Sequence, residues 1–283
     1  MRFLRFGAAG AERPAAFAPD GTIVDLSSVV PDFEHRTLGA DSLTRVAEAV
    51  ANGGLPVVDV DRARIGAPVA RPGKVVCIGL NYRDHALETG ADLPAEPIIF
   101  MKDPWTVVGP HDRVPIPRRS SKTDYEVELA VVIGRAARYL DSTADAAAHI
   151  AGYALSNDVS EREFQLERGG QWDKGKSCEA FNPLGPWLVT PDEFDPASAR
   201  IRLWVNGITR QDSNTDQLIF DVPSVVHYLS QFMVLQPGDI INTGTPAGVA
   251  LGKTDPKPYL RDGDVVEAEI DGLGRMRQIF KQA

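Results

Sequence analysis

The chain has 283 residues, a formal net charge of −9, and 43% hydrophobic and 24% charged residues. This is an ordinary soluble composition, long enough for one large domain or two unequal ones. A nucleic-acid binder is not expected, because the basic residues form no stripe. A membrane protein is not expected either, since every apolar run is far shorter than the roughly 18 residues of a span. Cys77 and Cys178 suit a reducing compartment and are predicted to be buried, so we expect a cytoplasmic protein.

The N-terminal part is predicted to form a small α+β unit. Apolar and polar residues alternate in Met1–Phe6 and Ala15–Leu26, and the turn Pro19-Asp20-Gly21 interrupts the second segment. This pattern is typical of strands in a hairpin. Asp41–Ala51 has a polar start followed by apolar residues at helical spacing, which predicts a helix.

Proline and glycine recur over residues 65–73, so we predict domains at 1–70 and 71–283. In the second domain, strands are predicted at Val75–Ile78, Pro97–Met101, Val127–Gly134, Gly152–Ser156, Trp187–Thr190, Ile201–Val205, Ile240–Asn242, Val265–Ile270 and Arg275–Phe280. Helices are predicted at Tyr82–Thr89 with Asn81 as N-cap, at Ser142–Ile150 with Asp141 or Ser142 as cap, and at Val222–Met233. The fold class is therefore mixed α/β and rich in strands.

Three acidic residues alternate with other residues just before a long apolar run. They are Asp124, Glu126 and Glu128, and on a strand their side chains would share one face. Clustered carboxylates repel one another, and a divalent cation relieves that repulsion. Asp158 follows the predicted strand Gly152–Ser156 and is the best candidate for a further ligand. The proposed metal ligands are Glu126, Glu128 and Asp158.

Oxygen ligands without histidine or cysteine indicate Mg²⁺ or Mn²⁺ rather than zinc. The alternative is that these acidic residues form the solvated face of an edge strand, where acidic alternation is common.

His85 and Glu88 lie three residues apart in a predicted helix, so their side chains share one face. A carboxylate that holds an imidazole makes a general base able to activate water. An ordinary surface His–Glu pair is the alternative explanation of the same spacing.

Basic and polar residues downstream could bind an anionic substrate. Arg162 and Gln165 follow Asp158 at the same three-residue spacing and could take a substrate carboxylate, or belong to a solvated helix. Lys176 could stabilise developing negative charge, or be a loop lysine. Glycines and threonines in Asn242–Gly248 would let the backbone approach a ligand, or form a plain turn.

These segments together resemble the fumarylacetoacetate hydrolase superfamily over nearly all of Val75 to Phe280. The segments that carry the resemblance are Gly79-Leu80-Asn81-Tyr82 with His85 and Glu88, Asp124–Leu129, Asn157-Asp158-Val159 with Arg162 and Gln165, Lys174–Ser177, Pro183–Pro186 and Asn242–Pro246. Arg168–Trp172 is most similar to members acting on diketo-deoxy sugar acids or grouped with ureidoglycolate lyases. Cys178-Glu179 departs from the aromatic-Asp pair of many relatives, which blurs the subfamily.

The resemblance implies a β-sandwich roll preceded by a small N-terminal domain, in a homodimer. By position, Glu126, Glu128 and Asp158 match the metal ligands, and His85 and Glu88 the water-activating pair on a segment that closes over the site. Lys176 is assigned to catalysis, and the predicted substrate-binding residues are Tyr82, Arg162, Gln165 and Thr245.

The expected activity is metal-dependent hydrolysis of a C–C bond in a small β-diketo acid, acylpyruvate-like or a 2,4-diketo-3-deoxy sugar acid, with release of a pyruvate-type product. The same site could instead decarboxylate oxaloacetate or act as a keto–enol tautomerase or isomerase. An inactive, metal-stabilised binding protein is the remaining alternative. The expected partner is a small keto acid, not nucleic acid or membrane.

Overall fold

The computed structural model describes residues 1–90 and 92–283, with all their side chains except those of residues 40 and 89. The strands are β1 Arg2–Phe6, β2 Arg13–Phe17, β3 Ile23–Asp25, β4 Ile65–Gly66, β5 Val75–Gly79, β6 Ile98–Lys102, β7 Val107–Val108, β8 Val114–Ile116, β9 Thr123–Asp124, β10 Val127–Ile133, β11 Ile150–Asn157, β12 Ser160–Glu161, β13 Asn182–Pro183, β14 Leu188–Val189, β15 Arg200–Val205, β16 Ile208–Asn214, β17 Ile240–Asn242, β18 Val265–Ile270 and β19 Gly274–Gln282. The α-helices are α1 Ala40–Asn52, α2 Arg83–Thr89, α3 Asp173–Lys176 and α4 Val222–Ser230. Short 3₁₀ segments cover Pro104–Thr106, Thr143–His149, Thr215–Gln217 and Ala250–Gly252, and a π-helical turn covers Glu163–Glu167.

The main sheet has the strand order β3-β2-β1-β14-β11-β10-β17-β5-β6, with β4 also paired to β1. Most neighbours are antiparallel, but β17 and β5 run parallel. Every residue of β10 is buried, as expected for a central strand that is covered on both faces.

A second sheet has the order β16-β15-β18-β19-β8 and packs against the middle of the first. Buried apolar residues from both sheets, such as Val131 and Leu155 from the first and Leu203 and Ala268 from the second, form one continuous core. The predicted strand-rich, mixed α/β fold of sandwich type is therefore confirmed.

The N-terminal strands extend the main sheet. The predicted hairpin is present as β2 and β3, and β1 pairs with β14 from the middle of the chain. Arg64 adds polar links, because its guanidinium pairs with Asp112 at 2.5 Å and with Glu12 at 2.6 Å. Sheet pairing thus crosses the predicted boundary at residue 70, whose status as a domain boundary stays a prediction.

Several local details differ from the sequence-based expectations. Asn81 does not cap α2, whose N-cap is Tyr82, because the Asn81 amide instead donates to the carbonyls of Phe220 and Thr243. The helix predicted from Ser142 is a 3₁₀ segment, with Ser142 as its cap. Cys178 is partly exposed rather than buried.

Strand β16 was not predicted. Its sequence, ITRQDSN, contains a single strongly apolar residue, so the alternation that identifies a half-buried strand is weak. It forms because β15 provides an antiparallel partner from Arg200 to Val205.

Candidate active site

The acidic residues lie where the chain leaves one small sheet and enters the main one. Asp124 belongs to β9, which pairs with β12, whereas Glu128 belongs to β10. Glu126 lies between these strands, and its N–H donates to the Asn157 side chain at 3.1 Å. The expectation that three acidic residues share one continuous strand face is therefore wrong in detail, because the strand is interrupted.

The structure nevertheless brings the predicted metal ligands together. One carboxylate oxygen from each of Glu126, Glu128 and Asp158 lies within 4.8 Å of the others, and all three residues are buried. They meet because β10 pairs with β11, which places the end of β11 beside the start of β10. Just beyond this pairing, the Asp158 N–H donates to the Glu126 carbonyl at 2.8 Å. We call these three residues the carboxylate triad.

Three buried cations surround the triad. Lys176 Nζ donates to Glu126 Oε2 at 2.7 Å and to Asp158 Oδ2 at 2.8 Å. Lys102 Nζ pairs with the other oxygen of Asp158. Arg162 Nη2 lies 2.6 Å from Glu126 Oε1. These cations are only 2–4% exposed. A buried charge without a partner is costly, so the cations and the carboxylates stabilise one another.

The two glutamates of the triad respond differently to burial. Burial raises the pKa of Glu126, but the adjacent Lys176 and Arg162 outweigh it and lower the pKa to about 2. Burial and the charges of Asp158 and Glu126 raise the pKa of Glu128 well above its ordinary value. Glu128 accepts a 2.8 Å hydrogen bond from the N–H of Gly244, which is too little to offset those charges.

The donor set of the triad fits a divalent cation. It offers only carboxylate oxygens, which suit hard cations such as Mg²⁺ and Mn²⁺. Glu128 also lies beside two other carboxylates with its pKa raised, so a further positive charge there would relieve repulsion. Glu126, Glu128 and Asp158 could therefore hold a metal, and their role as its ligands stays a prediction.

The predicted dyad lies on α2, and its His85 lines the same site. His85 Nδ1 is 3.7 Å from Glu88 Oε2, longer than a hydrogen bond but within ion-pair range. Two hydrogen bonds hold the Glu88 carboxylate in place. Lys253 Nζ donates to its Oε1 at 2.7 Å, and the Gly248 N–H donates to its Oε2 at 2.8 Å. Partial burial raises the pKa of Glu88, but its partners outweigh burial and lower the pKa to about 2. Glu88 is thus held as a carboxylate that can orient His85.

The predicted substrate-binding residues adopt three kinds of position. Arg162 donates from Nη1 to Gln165 Oε1 at 3.0 Å, so these two side chains form one unit beside the triad. Thr245 lines the site, but its hydroxyl donates to the Val127 carbonyl at 2.9 Å. Tyr82 is fully buried in the core between the sheets, and its role in substrate binding stays a prediction without a contact in the site.

A cavity of about 220 Å³ lies between the two glutamates of the triad and His85 of the dyad. Its lining consists of Ile78, Gly79, Leu80, His85, Phe100, Glu126, Glu128, Arg162, Gln165, Leu166, Trp172, Lys176, Thr245 and Leu251. A larger cavity of about 580 Å³ lies beside the N-terminal strands, but it includes none of the predicted site residues. The smaller cavity is therefore the candidate active site.

Sequence reasoning missed two cations of this site. Lys102 ends an apolar strand, where a lysine usually reaches solvent, and only its position after Ile98–Met101 could have drawn attention to it. Lys253 lies 165 residues from Glu88 in the chain, so no local pattern could connect the two.

Comparison with known proteins agrees with this geometry. The family model for the fumarylacetoacetate (FAA) hydrolase C-terminal domain matches residues 74–281. A protein of Burkholderia multivorans that carries a provisional hydrolase name is 48% identical over 284 residues, covering 100% of both chains.

Two solved structures of similar proteins carry more specific names. Maleylpyruvate hydrolase from Sphingobium sp. SYK-6, in complex with manganese(II) and pyruvate, has a TM-score of 0.82 and 29% identity, covering 100% of both chains. The 5-carboxymethyl-2-hydroxymuconate delta-isomerase from Mycobacterium smegmatis has a TM-score of 0.79 and 32% identity, covering 100% of this chain and 99% of that one. The narrower resemblance to diketo-deoxy sugar acid enzymes and ureidoglycolate lyases stays a prediction. The family match, the fold and the carboxylate triad together show that the chain belongs to the fumarylacetoacetate hydrolase family.

Proposed function

We propose that the protein is a divalent-metal-dependent hydrolase that cleaves a C–C bond in a small β-diketo acid and releases a pyruvate-type product. The observation that carries this proposal is that one cavity of about 220 Å³ is lined by Glu126 and Glu128 of the carboxylate triad, His85 of the dyad and two buried cations. The similar maleylpyruvate hydrolase, whose structure contains manganese(II) and pyruvate, supports a divalent metal ion and a pyruvate-type product.

Glu126, Glu128 and Asp158 would hold the metal, for which we propose Mg²⁺ or Mn²⁺. When bound, such an ion supplies Lewis-acid chemistry, polarising a carbonyl oxygen and stabilising negative charge. Arg162 and Lys176 line the same cavity, so their charges favour an anionic substrate and would fix the orientation of its carboxylate.

His85 is the proposed general base. Its imidazole would take a proton from water, while Glu88 holds the ring and stabilises the imidazolium that forms. The resulting hydroxide attacks the carbonyl of the acyl group that is distant from the substrate's carboxylate. The C–C bond between that carbonyl and the adjacent methylene then breaks. Its electron pair stays on the pyruvate carbon, which takes back the proton held by His85.

Isomerisation is a second candidate, favoured by the 32% identity to an enzyme named as a delta-isomerase. The same residues would bind the keto acid, and a side-chain base would move a proton between carbons instead of activating water. The two activities differ in that hydrolysis requires His85 to activate water, whereas isomerisation does not.

The test is turnover of a panel of acylpyruvates, a diketo-deoxy sugar acid, oxaloacetate and a hydroxymuconate-type isomerase substrate, with Mg²⁺, Mn²⁺ or EDTA. Metal-dependent pyruvate release is expected from an acylpyruvate, with a loss of about 10²–10⁴-fold in His85→Ala. Undiminished hydrolysis by His85→Ala would exclude it as the base, and metal-independent turnover would exclude the triad as the metal site. The proposed homodimer is tested separately, by light scattering in solution.

A further inference from the structure

We propose that this site selects keto acids with one carboxylate and an uncharged, apolar acyl group over those whose acyl group ends in a second carboxylate. The inference rests on the proposed function for the reaction, and it adds the chemical nature of the acyl tail. Three features of the cavity support it.

The first feature is an apolar wall. Of the cavity's lining residues, a compact set has hydrocarbon or aromatic side chains: Ile78, Leu80, Phe100, Leu166, Trp172 and Leu251. The Trp172 and Phe100 rings pack edge to face with centroids 5.4 Å apart. A Cβ at Gly79 would lie 2.9 Å from the Trp172 ring, so the glycine makes room for the indole. Phe100, Trp172 and Gly79 are thus packed together, and the other apolar residues of the wall line the same cavity.

The second feature is that the cations of the lining are already engaged on the triad side. Arg162 donates to Asp124, Glu126 and Gln165. Lys176 bridges two triad carboxylates. Among the described lining residues, the remaining basic side chain is His85, which is the proposed general base.

The third feature is charge balance around the triad. Lys102, Lys176 and Arg162 face four buried carboxylates, those of the triad and of Asp124. A divalent cation would leave this cluster with one net positive charge, which one substrate carboxylate neutralises. A second carboxylate would be desolvated against the apolar wall, where the nearby cation, Lys176, is already paired with Glu126 and Asp158, at a considerable free-energy cost.

The size of the cavity strengthens this argument. At about 220 Å³ it lies below the range of about 300–1,000 Å³ typical of sites for drug-sized ligands. A cavity of this size keeps part of a bound acyl group in contact with its lining, and the side beside Leu166 is open to solvent. A hydrocarbon tail gains from burial against Phe100 and Trp172, whereas a carboxylate in the same position would lose hydration.

The experiment compares two substrates of nearly equal shape. Succinylpyruvate has a carboxylate at the end of its acyl chain, and isocaproylpyruvate has an isopropyl group in its place. With Mg²⁺ present, kcat/KM is expected to be at least about tenfold higher for isocaproylpyruvate, because the unpaired charge has to be desolvated. Equal values, or a preference for succinylpyruvate, would overturn the inference while leaving the proposed hydrolase intact.

A binding measurement separates this inference from the proposed chemistry. In the His85→Ala variant, whose turnover of both compounds is expected to be about 10²–10⁴-fold slower, calorimetry gives the two dissociation constants before much substrate is consumed. Tighter binding of isocaproylpyruvate by about tenfold supports the inference even if no acylpyruvate is cleaved by the wild type. Equal affinities, or tighter binding of succinylpyruvate, contradict it.

A single substitution should change the selectivity. Leu166 lies on the wall but is 44% exposed, so the site can accept a longer side chain there. Leu166→Arg supplies the missing counter-charge and is expected to reduce the preference for isocaproylpyruvate by about tenfold. The matched control is Leu166→Gln, which is polar but neutral and should leave most of the preference in place. An unchanged ratio in Leu166→Arg would argue against charge as the cause.

Discussion

Lys253 fixes the carboxylate of the dyad from the side opposite to the imidazole. Its Nζ lies 2.7 Å from Glu88 Oε1, while Glu88 Oε2 faces His85. This arrangement makes Lys253 a positioning residue that acts through Glu88.

Lys253→Met is therefore expected to lower kcat by roughly three- to tenfold with little change in KM, a part of what a general base contributes. Lys253→Arg should restore most of the rate, because it keeps the charge. The measurement is steady-state kinetics on the substrate that proves most active. An increase in KM with kcat unchanged, or no rescue of kcat by Lys253→Arg, would show that Lys253 has only a structural role.

The lowered pKa of Glu88 predicts a pH-dependent contribution to stability. Its pKa is about 2 in the folded protein, against an ordinary value of 4.5. A depressed pKa stabilises the fold above the unfolded-state value, and this contribution is lost as the pH falls towards 2. Urea unfolding of the wild type and of Glu88→Gln between about pH 6 and pH 3 should show the wild-type advantage shrinking below about pH 4.5. A difference in unfolding free energy between the two proteins that stays constant over this pH range would contradict the prediction.

At this scale the sequence identified the residues whose chemistry is visible in a local pattern. The acidic alternation led to Glu126 and Glu128, and the three-residue spacing of His85 and Glu88 led to His85, which lines the same cavity as the two glutamates. Lys102 and Lys253 were not predicted as site residues, because their partners are distant in the chain. A single lysine also shows no local pattern that indicates burial.

At the scale of elements, α3 and the π-helical turn make an unusually close contact. A Cβ at Gly175 would lie 2.4 Å from the Glu161 carbonyl oxygen and 2.6 Å from the Gln165 nitrogen, both backbone atoms. The contact places Lys176 of α3 opposite Arg162, so both cations reach Glu126.

Gly175→Ala is expected to push these elements apart, destabilise the protein by about 1–3 kcal/mol and reduce turnover sharply. The measurements are denaturant unfolding and the panel assay. Lys174→Ala, an exposed neighbour on the same helix, is the control and should change stability by no more than about 0.5 kcal/mol. A stable, active Gly175→Ala would show that the helix can shift without cost.

Most elements could be predicted because their apolar periodicity is local. The interruption at Tyr125–Glu126 could not, since it arises from the pairing of β9 with β12, a contact between distant segments. The same is true of β16, whose polar sequence becomes a strand only beside β15.

At the scale of the molecule, the N-terminal strands and the catalytic strands belong to one sheet. Because β1 pairs with β14 and Arg64 pairs with Asp112, separation of the two parts would break strand pairing and partly buried ion pairs. The proline and glycine residues at 65–73 predict a domain boundary. The strand pairing across it depends on contacts between distant segments, which these residues do not indicate.

We therefore expect the whole chain to unfold in a single cooperative transition. Calorimetry should give equal calorimetric and van't Hoff enthalpies. A fragment of residues 71–283 is expected to aggregate, because it exposes the edge of β14. Two resolved transitions, or a soluble folded fragment, would contradict this.

The place of the triad within the sheet has a consequence for local opening. Glu128 lies on β10 and Asp158 follows β11, at the centre of the sheet, whereas His85 lies on the short helix α2, whose Leu87 is 82% exposed. Amide hydrogen exchange should thus be slowest along β10 and β11 and much faster along α2. Moderate heating would then loosen the proton-transfer group while the carboxylates keep their arrangement, so catalytic rate should be lost at lower temperatures than metal affinity.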